Sequence, residues 1–325
     1  RVHQVARVGL NSMQRHRGLA SMLLNGNSGA RDQMTKAATE ADAALKEATD
    51  REKAVGSSWQ PSVKLGDVVA RWQELKARLS TLKPEESTAE HTKVIGSLLR
   101  YMDDVANESG MALDPDADSY RLMEAIVNAL PHLSEVMGQS RAYGTMAINQ
   151  GSAAGNVQRR LDALAGDIQQ RLSSFERSMT YAYKANAAVE AKAKPVVDKA
   201  IAAARAMLQM LDEKIINVKQ IDLKPDVYFS TTTGQIDEQF ATYDFLQKSF
   251  DELLEARIAS RQRTRLTLVG LVGLVMLVIG GLMWVAMRDV LRRLNHAVDI
   301  ASRVAEGNLR VDIDDAGKDE IAQVL

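Results

Sequence analysis

Arg15, His16 and Arg17 lie in the stretch MQRHRGLASMLLNG, residues 13–26, whose spacing is that of an amphipathic helix. Arg17 falls on the apolar face of that helix, which comprises Leu10, Met13, Arg17, Ala20 and Leu24. Burying a guanidinium without a partner is costly, so Arg17 requires an internal carboxylate, access to water or an anionic ligand. The types of residue therefore indicate either an internal ion pair or an anion-binding site.

A second arginine, Arg141, occupies a similar position later in the chain. The apolar face around it comprises Leu130, Leu133, Met137, Arg141, Gly144 and Ile148. A weak internal repeat with an offset of 124 residues aligns Arg17, Met22 and Asn25 with Arg141, Met146 and Asn149. Gly144, one turn beyond Arg141, leaves room beside the guanidinium.

Two interpretations of these arginines remain open at the level of sequence. Either each is neutralised by a carboxylate or by solvent, or Arg17 and Arg141 converge on a cavity that binds a small anion in bidentate fashion. The second interpretation makes Arg15 and Gln14 members of the edge of the site. Tyr143 and Asn149 are further candidates for contact with the ligand.

Other chemistry finds little support. The five histidines show neither an HExxH motif nor a paired spacing, so we expect no metal and no cofactor. There is no Ser-His-Asp arrangement and no glycine-rich phosphate loop, so we expect no enzymatic activity. The 41 basic residues balance 42 acidic ones, which argues against nucleic acid as a partner.

The elements that would position the arginines are helical. Residues 1–262 are rich in helix-forming residues and show almost no strand-like alternation, which predicts an all-α sensor domain. Pro131 predicts a kink, and the last helix should run from about Gln235 into the segment that follows. Seven breaks predict eight helices arranged as two four-helix bundles: residues 25–29, 56–62, 81–87, 113–119, 149–156, 192–196 and 222–234.

Residues 266–287, LTLVGLVGLVMLVIGGLMWVAM, carry no charge over a length that matches a hydrocarbon core of roughly 30 Å. We expect a transmembrane helix here, with Trp284 as an interfacial anchor. Arginines flank both ends almost equally, so they do not orient the span.

Beyond the span, Val290, Leu294, Ala297, Ala301 and Val304 follow a coiled-coil spacing. Gly307 should end this helix, Leu309 and Ile313 lie in a connector, and a second helix containing Glu320 opens at KDEIAQV. The stretches AEGNLRVDI and DEIAQV resemble the HAMP signalling domain, here incomplete over residues 288–325. That resemblance implies a parallel homodimer, a cytoplasmic location and signal transmission through Trp284, Leu294, Gly307, Leu309, Ile313 and Glu320.

A second resemblance covers most of residues 1–262. The stretches MQRHRGLASMLLNG, DPDADSYRLMEAIVNALPHLSEVMGQSRAYG and YFSTTTGQIDEQFATYDFLQKSFDELLEARI resemble helical periplasmic sensors of methyl-accepting chemotaxis proteins. The first stretch is similar to the RERG opening of nitrate- and nitrite-sensing (NIT) domains, with His16 in place of Glu.

These resemblances imply a chemoreceptor of the bacterial inner membrane, with residues 1–262 periplasmic and 288–325 cytoplasmic. Its ligand would be a small anion such as nitrate, nitrite or a small carboxylate, and a cytoplasmic signalling module would follow Leu325. A first span would precede Arg1. Two alternatives stay open: the sensor of a histidine kinase or diguanylate cyclase, or a docking module for a periplasmic binding protein.

Overall fold

The structure, a computed structural model, describes residues 2–55, 61–110 and 115–307. The chain divides into two compact units, Arg1–Leu254 and Glu255–Leu325. The described residues contain eight helices and no strand, which confirms the all-α prediction. The helices are α1 (Val2–Leu24), α2 (Arg31–Val55), α3 (Leu65–Arg78), α4 (Pro84–Glu108), α5 (Ala117–Glu124 and Leu130–Asn149, joined by the π-helical segment Ala125–Ala129), α6 (Gly155–Ala185), α7 (Ala187–Leu211, followed by the π-helical segment Asp212–Ile216) and α8 (Pro225–Ala305).

The first unit is built from two groups of four helices. In the first group α1 packs against α2 and α4, and α3 packs against α4. In the second, α6 packs against α5 and α7, while Gln239 of α8 donates to the carbonyl of Ala200 in α7 at 2.8 Å. One continuous apolar core joins both groups and includes Leu10, Trp72, Leu98, Leu161 and Tyr228. Helices of both groups therefore share one interior.

Helix α1 contacts α2, α4 and α5 and runs antiparallel to α8. His3, near the start of α1, bonds Tyr243 at 2.7 Å, and Asn27, just after its end, bonds Asp226 at 3.0 Å. Helix α5 is also antiparallel to α8. Ile126, early in α5, shares a core with Phe250 of α8, whereas Gly144, near the end of α5, meets Tyr228 near the start of α8. Helices α1 and α5 consequently run in the same direction.

Two predicted boundaries were wrong. The break expected at residues 192–196 lies instead at Asn186, whose side chain accepts from the amide of Ala188 at 3.0 Å and so caps α7, with Pro195 inside that helix. The last helix begins at Pro225, ten residues before the predicted start at Gln235, because proline suits the first helical turn.

The threonines within the predicted break at residues 222–234 lie inside α8. The hydroxyls of Thr232 and Thr233 each donate to the carbonyl four residues earlier, at 2.7 Å, and this satisfies them inside a helix. Pro131, which lacks an amide hydrogen, follows a π-helical segment in which the amide of Leu130 donates to the carbonyl of Ala125. The wider π turn is the irregularity at the site of the predicted kink.

The second unit is described from Glu255 to Gly307. Its part of α8 contains a stretch with a mean hydropathy of 2.5, long and apolar enough to cross a membrane. The guanidinium of Arg288 lies 5.4 Å from the ring centre of Trp284, and Leu294 is exposed. Gly307 has a φ of 90°, a conformation that favours glycine, and follows the helix end as predicted. Leu309, Ile313 and Glu320 lie outside the described residues.

Candidate functional site

Arg17 is fully buried and is neutralised by Glu135 of α5. Its two terminal nitrogens, Nη1 and Nη2, donate to the two carboxylate oxygens at 2.6 and 3.1 Å, and Nη1 also donates to the hydroxyl of Thr92 at 3.1 Å. This is the bidentate fork that arginine makes with planar oxyanions. Its Nε is buried and has no hydrogen-bond partner among the described residues.

Arg141 is also buried, with 1 % of its surface exposed, but it is bound by neutral groups. Nη1 donates to the hydroxyl of Thr233 at 2.8 Å and Nη2 to the backbone carbonyl of Gln14 at 2.7 Å, while the guanidinium lies 4.9 Å from the ring centre of Phe229. Within the described ranges Arg141 forms no ion pair and its Nε has no partner. Burial first, and then the charge of Arg17, lowers the pKa of Arg141 to about 9.

The two arginines cross between α1 and α5 in a reciprocal way. Arg17 reaches over Gly138 of α5, where an added Cβ would lie 2.7 Å from Nη2, whereas Arg141 bonds the backbone of Gln14 in α1. Positions 14 and 138 differ by 124 residues, the same offset that relates Arg17 to Arg141. Each arginine therefore contacts the other helix at an equivalent position.

The two arginines and the charged groups near them form a cluster with more positive than negative charge. Arg15, which is partly exposed, donates to Asp237 of α8 at 2.7 Å. In the described part of the chain the group thus contains the guanidinium groups of Arg15, Arg17 and Arg141 and the carboxylates of Glu135 and Asp237. One additional small anion would balance these charges.

Two buried histidines lie next to this cluster. Nδ1 of His91 lies 2.7 Å from the carbonyl of Ser87, an acceptor, so this nitrogen donates and Nε2 of His91 must accept from Nδ1 of His16 at 2.8 Å. Burial lowers the pKa of His16 to about 4 and that of His91 to about 3, so both rings are neutral near pH 7. Among the described residues no group of side chains is arranged to hold a metal ion.

The structure brings four of the six predicted site residues together: Gln14, Arg15, Arg17 and Arg141. Tyr143 lies elsewhere, with its ring centre 5.9 Å from the guanidinium of Arg160, because two residues along a helix rotate a side chain by about 200° from Arg141. Asn149 is the exposed last residue of α5. The structure places neither of them at the arginine pair.

Sequence reasoning missed Glu135, Thr92, Thr233 and Phe229, which contribute the partners of the two arginines. Glu135 does not stand out in a chain with 42 acidic residues, and the types of the other three residues do not identify them as partners of an arginine. The prediction of space beside Gly144 was wrong, because the ring of Tyr228 fills it and the Tyr228 hydroxyl donates to the carbonyl of Ser140 at 2.9 Å.

Comparisons with known proteins cover most of the chain. Residues 10–257 match the family model "Nitrate and nitrite sensing" (NIT), and residues 285–325 match the HAMP domain. A solved structure of the NasR transcription antiterminator has a similar fold, with a TM-score of 0.60 at 17 % identity over 80 % of this chain and 70 % of that one. No curated protein matches.

A sensing domain, an apolar helix and a HAMP domain together fit a membrane-anchored receptor that transduces a signal. The matched range contains both Arg17 and Arg141. The chain therefore belongs to the nitrate and nitrite sensing (NIT) family.

Proposed function

We propose that residues 2–254 bind a small planar oxyanion, nitrate or nitrite, between Arg17 and Arg141. The observation that carries this proposal is the state of Arg141: a buried guanidinium with only neutral partners and an unbonded Nε among the described residues. A buried cation of this kind destabilises the folded protein unless an anion pairs with it. The description of the family supports nitrate and nitrite as the ligands.

The Nε atoms of both arginines offer unused donors to such a ligand. The positive charge of Arg17 disfavours the charged form of Arg141, so an anion between them relieves repulsion as well as satisfying donors. Because one arginine belongs to α1 and the other to α5, the ligand would bias the protein towards closer packing of these helices.

Replacing Arg141 tests the site. We expect Arg141→Lys, which keeps a charge but loses the planar fork, and Arg141→Gln, which loses both, to weaken nitrate binding by at least about tenfold. Calorimetry on the full chain in lipid nanodiscs measures the affinity for nitrate, nitrite and formate. The matched control is Arg205→Gln, an exposed arginine paired with Glu176 in the same unit, which should bind as the wild type does.

Unchanged nitrate affinity in both Arg141 variants would show that the anion does not bind there. A wild-type chain that gains no thermal stability from a broad set of small anions would contradict direct sensing altogether. That second result would favour the alternative in which residues 1–262 dock a periplasmic binding protein.

We further propose that the ligand signals through α8. Thr233 of this helix bonds Arg141, and the same helix extends to Ala305. In this proposal residues 1–262 are periplasmic, the HAMP domain dimerises in the cytoplasm, and Trp284, Leu294, Gly307, Leu309, Ile313 and Glu320 transmit the change. The protein would act by binding, without catalysis of its own.

The proposed output is that of a chemoreceptor. A nitrate step should then change the swimming bias of cells that carry the whole receptor, and removal of Arg141 should abolish the response. A nitrate-dependent change in phosphotransfer or in cyclic di-GMP, without a change in swimming bias, would assign the output to a histidine kinase or a diguanylate cyclase instead.

A further inference from the structure

The carboxylate of Glu135 is enclosed by four hydrogen-bond donors. Arg17 supplies two, at 2.6 and 3.1 Å, and the side-chain amides of Gln139 and Gln14 supply one each, at 2.8 and 3.1 Å. All four residues are buried. A carboxylate presents a planar edge with two oxygens, and nitrate and nitrite present the same edge, so this donor set suits a planar oxyanion.

Glu135 is slightly more exposed than the arginine that it neutralises. Its side chain retains 7 % exposure, whereas that of Arg17 retains none. Gln139, one helical turn along α5, accepts from the exposed Arg160 of α6 at 2.7 Å. If the carboxylate of Glu135 left Arg17, the guanidinium of Arg160 would be the next cation, since Gln139 bonds both residues.

Resting on the proposed function, we propose that Glu135 is a resident anion, a tethered carboxylate that an incoming oxyanion displaces from Arg17. In the empty receptor Glu135 neutralises Arg17 and holds α5 to α1. The ligand takes over the fork of Arg17 and adds the unbonded Nε of Arg141, so it satisfies both arginines where Glu135 satisfies one.

Displacement makes Glu135 a determinant of affinity, and the sign of its effect is the test. Glu135→Gln removes the competing charge. Glu135→Ala removes the acceptor as well and leaves the donors of Arg17, Gln139 and Gln14 without it. We expect both variants to bind nitrate at least about tenfold more tightly than the wild type, and Glu135→Ala also to bind formate. Without anion both should melt at a lower temperature than the wild type, and nitrate should restore most of that loss.

The measurements are calorimetry and thermal unfolding of the full chain in nanodiscs, with helix content checked by circular dichroism. Two variants are used so that misfolding of one leaves the test in place. Glu176→Gln, which removes the exposed carboxylate paired with Arg205, is the control for a general change in charge and should leave nitrate affinity unchanged.

If the wild type binds nitrate and the two Glu135 variants bind it equally or more weakly, Glu135 only positions Arg17, and the inference is overturned while the proposed function stands. If neither the wild type nor either variant binds nitrate or formate, both the inference and the proposed site are wrong. Tighter binding in the variants supports displacement.

Discussion

The His16–His91 hydrogen bond joins two buried imidazole rings that are neutral near pH 7. Nδ1 of His91 donates to Ser87, so its Nε2 accepts from Nδ1 of His16, and protonating both rings would place two donors against each other. His16 is 2 % exposed and His91 is fully buried, so water cannot take over the broken bond. Burial therefore makes this pair sensitive to acid.

The depressed pKa values of the two histidines predict a loss of stability in acid. Below about pH 6.5 the unfolded chain binds protons on both rings, whereas the folded protein does not until about pH 4 for His16 and pH 3 for His91. The free energy of unfolding should fall from pH 6.5 towards pH 4, by roughly 2 kcal/mol per histidine at pH 5. Thermal unfolding between pH 7.5 and pH 5 measures this loss.

A His91→Gln variant should lose less stability over the same pH range than the wild type. His16→Gln, which removes the other ring of the buried pair, should show the same reduction. An equal acid loss in the wild type and in His91→Gln would mean that other groups cause it.

At the scale of helices, α5 and α8 approach closely at Gly144. The ring of Tyr228 occupies the position that a side chain at residue 144 would need, and an added Cβ would lie 2.5 Å from Cζ of that ring. Tyr228 is fully buried and bonds the backbone of α5, so it has little freedom to move. This contact sets the register between the helix that carries Arg141 and the helix that leads to the apolar segment.

Gly144→Ala should therefore destabilise the protein by about 1–3 kcal/mol through overpacking, seen as a lower melting temperature. Gly166→Ala is the matched control: this helical glycine is exposed and nothing lies within 4 Å of its added Cβ. That change should be neutral or stabilise by about 0.5–1 kcal/mol, because alanine favours helix. Equal melting temperatures for the two variants would refute the close approach.

At the scale of the whole molecule, the proposed orientation puts residues 1–262 in the periplasm and the HAMP domain in the cytoplasm. The apolar stretch of α8 is exposed throughout, as a lipid-facing helix would be, while the first unit buries its own core. The arginines that flank the stretch do not distinguish the two sides. Chemical labelling of each unit tests the proposed orientation.

The absence of cysteine from the sequence makes this measurement simple. A single cysteine at Ser28, which is exposed after α1, should react with a membrane-impermeant maleimide in spheroplasts. A cysteine at Ser302, exposed near the end of α8, should react only after lysis. Labelling of Ser302→Cys before lysis, with Ser28→Cys protected, would reverse the proposed orientation.

Local patterns in the sequence determined the helical class, the apolar stretch of residues 266–287, the end of α8 near Gly307 and the unusual position of Arg17. Each depends on the 3.6-residue repeat, on hydropathy or on glycine, and these act within a few residues. The misplaced break at residues 192–196 shows the limit, since a cap at Asn186 outweighed the visible Pro195.

The tertiary structure alone decided what surrounds the two arginines. Glu135 lies 118 residues from Arg17 in the chain, and nothing local distinguishes it from other acidic residues. Its pairing with Arg17, and the lack of a carboxylate bonded to Arg141 within the described structure, follow from the parallel packing of α1 and α5 and from their register. Partners across helices depend on which faces meet, and that is settled by burial of the whole core rather than by any short stretch of sequence.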